Sequence, residues 1–134
     1  MASIRKEVLI SAPPEAVWDA LRDVGALHTR LCPGFVTNTV LEDGARVVTF
    51  ANGTVARELI VDVNDVDRRV AWSIIGGPMT HHNGVAQVFP EGEGTRFVWT
   101  ADLLPHDLAP RIAAMMEMGL SVIKRTQEAS RAGS

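Results

Sequence analysis

The chain has 134 residues, enough for one domain with one core, and its composition (46% hydrophobic, 22% charged) is that of an ordinary globular protein. A formal charge of -3 and a pI near 5.8 exclude the basic stripe of a nucleic-acid binder. A single cysteine, Cys32, excludes an intrachain disulfide, and no run approaches the ~20 apolar residues of a membrane-spanning helix.

Residues 4–11 alternate in polarity and stop at Ala12-Pro13-Pro14, which predicts a strand. The N-terminal run carries Arg5, Lys6 and Glu7 and lacks the apolar stretch of a signal peptide, so a cytoplasmic location is expected. Proline suits a first helical turn, and Ala16, Val17, Ala20 and Leu21 follow at helical spacing, so a helix is expected over 14–22. A second short helix is expected over 24–30, ended by Pro33-Gly34.

Strands are predicted over 35–41, 46–51, 54–63, 69–75, 81–89 and 95–103, joined by short turns. The strongest hairpin signal is Asn52-Gly53, read as a two-residue turn. The last segment repeats Leu108, Ile112, Met115, Met116, Gly119, Val122, Ile123 and Thr126 at 3.6-residue spacing. It is one long amphipathic helix, with Asp107 as its expected N-cap. Residues 1–3 and 131–134 are expected to fray.

The order is therefore strand, two short helices, six strands, long helix, an α+β arrangement. One helix across one curved antiparallel sheet leaves space between them, so a cavity is expected. The residues Ile10-Ser11-Ala12-Pro13-Pro14-Glu15-Ala16-Val17-Trp18, the Pro33-Gly34 break, Gly94-Thr95-Arg96 leading into Trp99-Thr100, and the closing helix carry a family resemblance. Together they resemble the START/Bet v 1-like (SRPBCC) superfamily, and more closely its polyketide cyclase/dehydrase-like members. That resemblance covers essentially the whole chain. It implies a helix-grip fold and a ligand cavity, and selects no reaction, because the superfamily mixes enzymes, lipid carriers and hormone sensors.

Side chains alternate along a strand, so one hairpin pairing fixes a whole face. The turn at 90–94 sets Val88 opposite Phe97, Ala86 opposite Trp99, Gly84 opposite Ala101 and His82 opposite Leu103. The break at 76–79 sets Trp72 near Gly84 and Ile74 near His82. The turn at 64–68 sets Val61 near Trp72 and Leu59 near Ile74, with Arg57 on the same face, and Asn52-Gly53 adds Phe50 and Val48. The concave face is then Val48, Phe50, Arg57, Leu59, Val61, Trp72, Ile74, His82, Trp99 and Ala101. Glu58 and Asp102 fall on the convex face. A one-residue slip exchanges Arg57 for Glu58, which then becomes the general-base candidate.

The expected ligand wall is Phe50, Leu59, Trp72, Ile74, Trp99, Met115 and Met116. Thioethers adapt to varied shapes, and aromatic rings supply contact area. Arg57, whose charge cannot be shed, is the candidate for polarising a ligand oxygen, and His82 the candidate proton shuttle. Adjacent His81 and His82 point to opposite faces of a strand and cannot share a metal, so no metal is expected, and no cofactor. Cys32 has no evident partner to activate it as a nucleophile.

Three functions follow. The first is a small-molecule binder taking a polyketide, aromatic or lipid-like compound. The second is a cofactor-independent cyclase, dehydratase or isomerase in the same cavity. The third is an interaction module gated by the loops at Cys32-Pro33-Gly34 and Gly76-Gly77-Pro78-Met79. The expected partner is a small hydrophobic molecule, with no nucleic acid and no membrane insertion, in a monomer or homodimer.

Overall fold

The structure, a computed structural model, describes residues 2–132. The elements in chain order are β1 (Ala2–Ile10), α1 (Pro14–Arg22), a π-helical turn (Leu27–Leu31), β2 (Val36–Glu42), β3 (Ala45–Phe50), β4 (Val55–Asn64), β5 (Arg69–Ile75), β6 (His81–Glu91), β7 (Gly94–Leu104), a 3-10 turn (His106–Leu108) and α2 (Ala109–Ala132). The seven strands form one antiparallel sheet in the order β1-β7-β6-β5-β4-β3-β2. The first strand pairs with the last, and every other neighbour is joined by a short hairpin. This is the helix-grip α+β fold.

The long helix buries Ile112, Met116, Leu120, Ile123 and Gln127, a stripe at three- and four-residue intervals facing the sheet. Three links tie it to β1 and the segment that follows: Lys6 Nζ to Glu117 (2.9 Å), Lys124 Nζ to the Leu9 carbonyl (2.7 Å), and the Ser11 amide to Glu128 (2.8 Å). Gln127 Nε2 donates to the Arg30 carbonyl (2.7 Å), fixing the π-helical turn against α2. At the other side, Trp18 Nε1 donates to Asp65 (3.0 Å), which also pairs with Arg22 (2.9 Å), so α1 is docked on the β4–β5 turn. The neighbouring guanidinium and the indole hold the Asp65 carboxyl below its usual range.

The apolar side chains form two clusters. The larger joins α1, the π-helical turn, the inner face of β3 to β7, and Leu120 and Ile123 of α2. The smaller holds Ala101, Leu103, Ile112 and Met116, with Met79 and Leu108 packed against it.

Some local expectations change. The second short helix, expected over 24–30, is a π-helical turn that starts three residues later, at Leu27, because Val24 and Gly25 form a turn. Asp107 lies inside the 3-10 turn rather than capping α2. Ala2 and Ser3 do not fray but pair with Leu103 and Asp102. Helix α2 runs through Arg131 and Ala132, and the other expected frayed ends, Met1, Gly133 and Ser134, lie outside the described residues.

The main difference is the register of β4. The β3–β4 connection is a three-residue loop, not a two-residue turn: the Phe50 amide bonds the Thr54 carbonyl (2.8 Å) and the Gly53 amide bonds the Phe50 carbonyl (2.9 Å). Gly53 adopts φ 87°, the left-handed conformation such loops require of their last residue. Val48 therefore pairs with Ala56 and Arg46 with Glu58, which turns Ala56, Glu58 and Ile60 inward. At its other end β4 pairs Asn64 with Arg69 and Val63 with Val70, which would turn odd-numbered residues inward. The two parities conflict, and a bulge between Ile60 and Asp62 reconciles them, leaving Val61 without a partner on β5.

Candidate functional site: a pocket between sheet and helix

The inner faces of β3 to β7, the π-helical turn and α2 line a partly open pocket of about 60 Å³. That is room for roughly two water molecules, taking ~30 Å³ each. Its wall is mostly apolar: Leu27 and Leu31 from the turn, Phe35, Val48, Phe50, Trp72, Ile74 and Trp99 from the sheet side, and Met115, Gly119 and Ile123 from α2. Four residues bring polar atoms to it: Cys32, Arg46, Glu58 and His82. Trp99 adds the indole N–H.

Glycine makes the two tryptophans fit. Trp72 pairs across the sheet with Gly84, where a Cβ would run into the indole. Trp99 reaches Gly119 of α2, where a Cβ would lie 2.9 Å from Trp99 and 3.1 Å from Phe35. Gly119 therefore serves close approach of helix to sheet. The two indoles tilt against each other with centroids 6.3 Å apart, and Phe35 meets Phe50 edge-on at 5.7 Å.

The charged part of the wall is one ion pair. Arg46 Nε donates to Glu58 Oε1 at 2.8 Å, and both side chains are almost wholly buried (3% and 6% exposed). Arg46 Nη1 also donates to the Val24 carbonyl (3.3 Å), and the guanidinium lies 5.3 Å from the centre of the Trp72 ring. Burial pushes the Glu58 carboxyl up, an effect only partly opposed by Arg46. Burial lowers His82, with His81 adding to the shift, so the imidazole is held neutral. The Cys32 thiol is pushed up to about 12 by burial, which makes it a poor nucleophile.

Two buried polar atoms on this wall have no hydrogen-bond partner among the described residues: Nε1 of Trp99 and Nδ1 of His82. A buried polar atom left unpaired is costly, so each of these two has room for a partner such as a water or a ligand atom.

Of the sequence-derived site residues, Phe50, Trp72, Ile74, His82, Trp99 and Met115 face the pocket. Arg57, Leu59 and Val61 do not. The three-residue loop reverses β4, leaving Leu59 and Val61 37% and 64% exposed. Arg57 is solvent-exposed and paired with Glu42 at 3.2 Å. Glu58, expected on the convex face, takes the inward position. Met116 is fully buried but packs with Ile112, Ala101 and Leu103 rather than on the pocket. The sequence reading missed Arg46 altogether. Its only signal was a charged residue two positions before Val48 on an otherwise inward-facing set.

Among curated proteins, none matches the chain. Solved structures do. An uncharacterized protein from Bacillus thuringiensis superposes with a TM-score of 0.82 at 18% identity, covering 92% of this chain and 97% of that one. The protein XoxI from Bacillus cereus gives 0.78 at 22%, covering 96% and 95%. A Thermobifida fusca solution structure gives 0.76 at 26%, covering 99% and 94%. A START superfamily protein from Mycobacterium smegmatis gives 0.68 at 12% identity, over 92% and 97% of the two chains. The family described as "Polyketide cyclase / dehydrase and lipid transport" matches residues 1–129. The chain therefore belongs to the polyketide cyclase/dehydrase and lipid transport family of the SRPBCC superfamily.

Proposed function

We propose that this protein binds a small apolar molecule in the pocket between the sheet and α2. The observation that carries the reading is the wall itself: aromatic and aliphatic side chains around two unpartnered polar atoms, Trp99 Nε1 and His82 Nδ1. The space is small as it stands, so a ligand enters by displacing wall side chains. Met115 has the most rotatable bonds of those on α2, and Phe35 stands at the helix contact.

A second reading, a cofactor-independent enzyme in the same pocket, is favoured by one feature. Glu58 and His82 are two titratable groups on one wall, and burial raises the carboxyl and lowers the imidazole. Glu58, not Arg57, is the charged β4 residue on the wall with His82, as a candidate acid or base.

Native mass spectrometry of freshly purified protein, with denaturing release of anything bound, tests the binding reading. A stoichiometric apolar compound supports it. Empty protein whose tryptophan indole NMR signals ignore a panel of apolar compounds refutes it.

A further inference from the structure

Resting on that binding reading, we infer that the pocket selects a neutral molecule: an apolar skeleton carrying a carbonyl-type oxygen, in preference to a carboxylate. The free hydrogen-bonding atoms on the wall define the ligand's polar end. Trp99 Nε1–H is a donor and nothing else, so its complement is an acceptor. His82 Nδ1 adds a second contact of either sense, depending on its tautomer.

A carboxylate ligand would need an uncommitted cation. The wall has one permanent cation, Arg46, and it is already engaged on three sides: by the Glu58 carboxylate, by the Val24 carbonyl and by the face of Trp72. Entry of a second carboxylate would place two anions beside one guanidinium in an apolar space, which is unfavourable. His82 offers no replacement charge, because burial keeps its imidazole neutral. A ketone, aldehyde or ester oxygen meets the Trp99 N–H and brings no charge to bury.

The test uses three ligands of one skeleton: 2-acetylnaphthalene, its hydrocarbon isostere 2-isopropenylnaphthalene, and 2-naphthoate at neutral pH. Affinities are measured by NMR titration of the full chain, following the indole N–H signals. The ketone is expected to bind about tenfold more tightly than the hydrocarbon, the difference one hydrogen bond makes. Naphthoate is expected to bind more weakly than both. The Trp99 N–H signal moves downfield with the ketone alone. In Trp99→Phe the ketone loses its advantage over the hydrocarbon, whatever the change in apolar contact common to both. Equal binding of ketone and hydrocarbon to the unmodified protein, or naphthoate binding best, overturns the inference and leaves the apolar-binding reading standing. Failure of all three to bind refutes the binding reading and this inference with it.

Discussion

Removing Glu58 alone strands a charge in the core. In Glu58→Leu, Arg46 retains the Val24 carbonyl and the Trp72 face but loses its only anion, and a guanidinium cannot shed its proton. Breaking a buried pair from one side costs about 3–5 kcal/mol. Thermal unfolding of 134 residues carries roughly 0.28 kcal/mol per kelvin of entropy, so the expected fall in Tm is about 11–18 °C. Arg46→Met is expected to cost less, because the stranded carboxyl can take up a proton. A carboxyl whose value is raised by folding stabilises the fold when protonated and loses that contribution as pH rises, so the Arg46→Met deficit should grow from pH 5 to pH 8. The double variant Arg46→Met/Glu58→Leu removes both charges and should recover most of the loss, giving a coupling of several kcal/mol. Urea unfolding followed by far-UV circular dichroism measures all four proteins. A Glu58→Leu loss under about 1 kcal/mol, or a double variant as unstable as the two single losses added, refutes the argument.

Three further outcomes are expected. Folding lowers the affinity of His82 for a proton, so its neutral form contributes stability above about pH 6.5 that is lost on acidification; the wild type should lose stability relative to His82→Leu between pH 7 and pH 5, and parallel pH profiles would contradict this. Cys32, buried with its thiol at about 12, should resist a disulfide reagent at pH 8 in the folded protein and react fully in urea; fast labelling without denaturant would count against its placement. Gly119→Ala gains about 1 kcal/mol of helix propensity but puts a methyl against Trp99 and Phe35, so it should weaken binding of apolar probes about tenfold, and unchanged affinity would place the ligand elsewhere.

Local pattern alone specified most of the architecture. The 3.6-residue stripe of α2 and the proline-opened α1 were legible because apolar spacing and proline chemistry act within a turn or two of chain. The β6–β7 pairing was legible too: Val88 with Phe97, Ala86 with Trp99, Gly84 with Ala101 and His82 with Leu103 all occur as the turn at 90–94 implies. So was Trp72 against Gly84, a large ring opposite the one residue that leaves it space.

What only the tertiary structure decided is the face of β4, and with it the polar chemistry of the pocket. Asn52-Gly53 marks a hairpin but does not say whether its loop has two residues or three. With two, Arg57 faces inward; with three, Glu58 does, beside Arg46. Parity is all-or-none along a strand, so a single residue of loop length exchanged a lone cation for a neutralised ion pair. The bulge at Val61 reconciles this with Val63 opposite Val70 at the far end of β4, and it overturns the pairs read from the turn at 64–68: Trp72 faces Ile60 and Ile74 faces Glu58, not Val61 and Leu59. Hydrophobic pattern did not resolve the choice, because Leu59 and Val61 on one parity compete with Ala56 and Ile60 on the other. The interactions that accompany this choice are long-range ones: Arg46 with Glu58, Ile60 with Trp72, and Trp99 against Gly119 of the last helix.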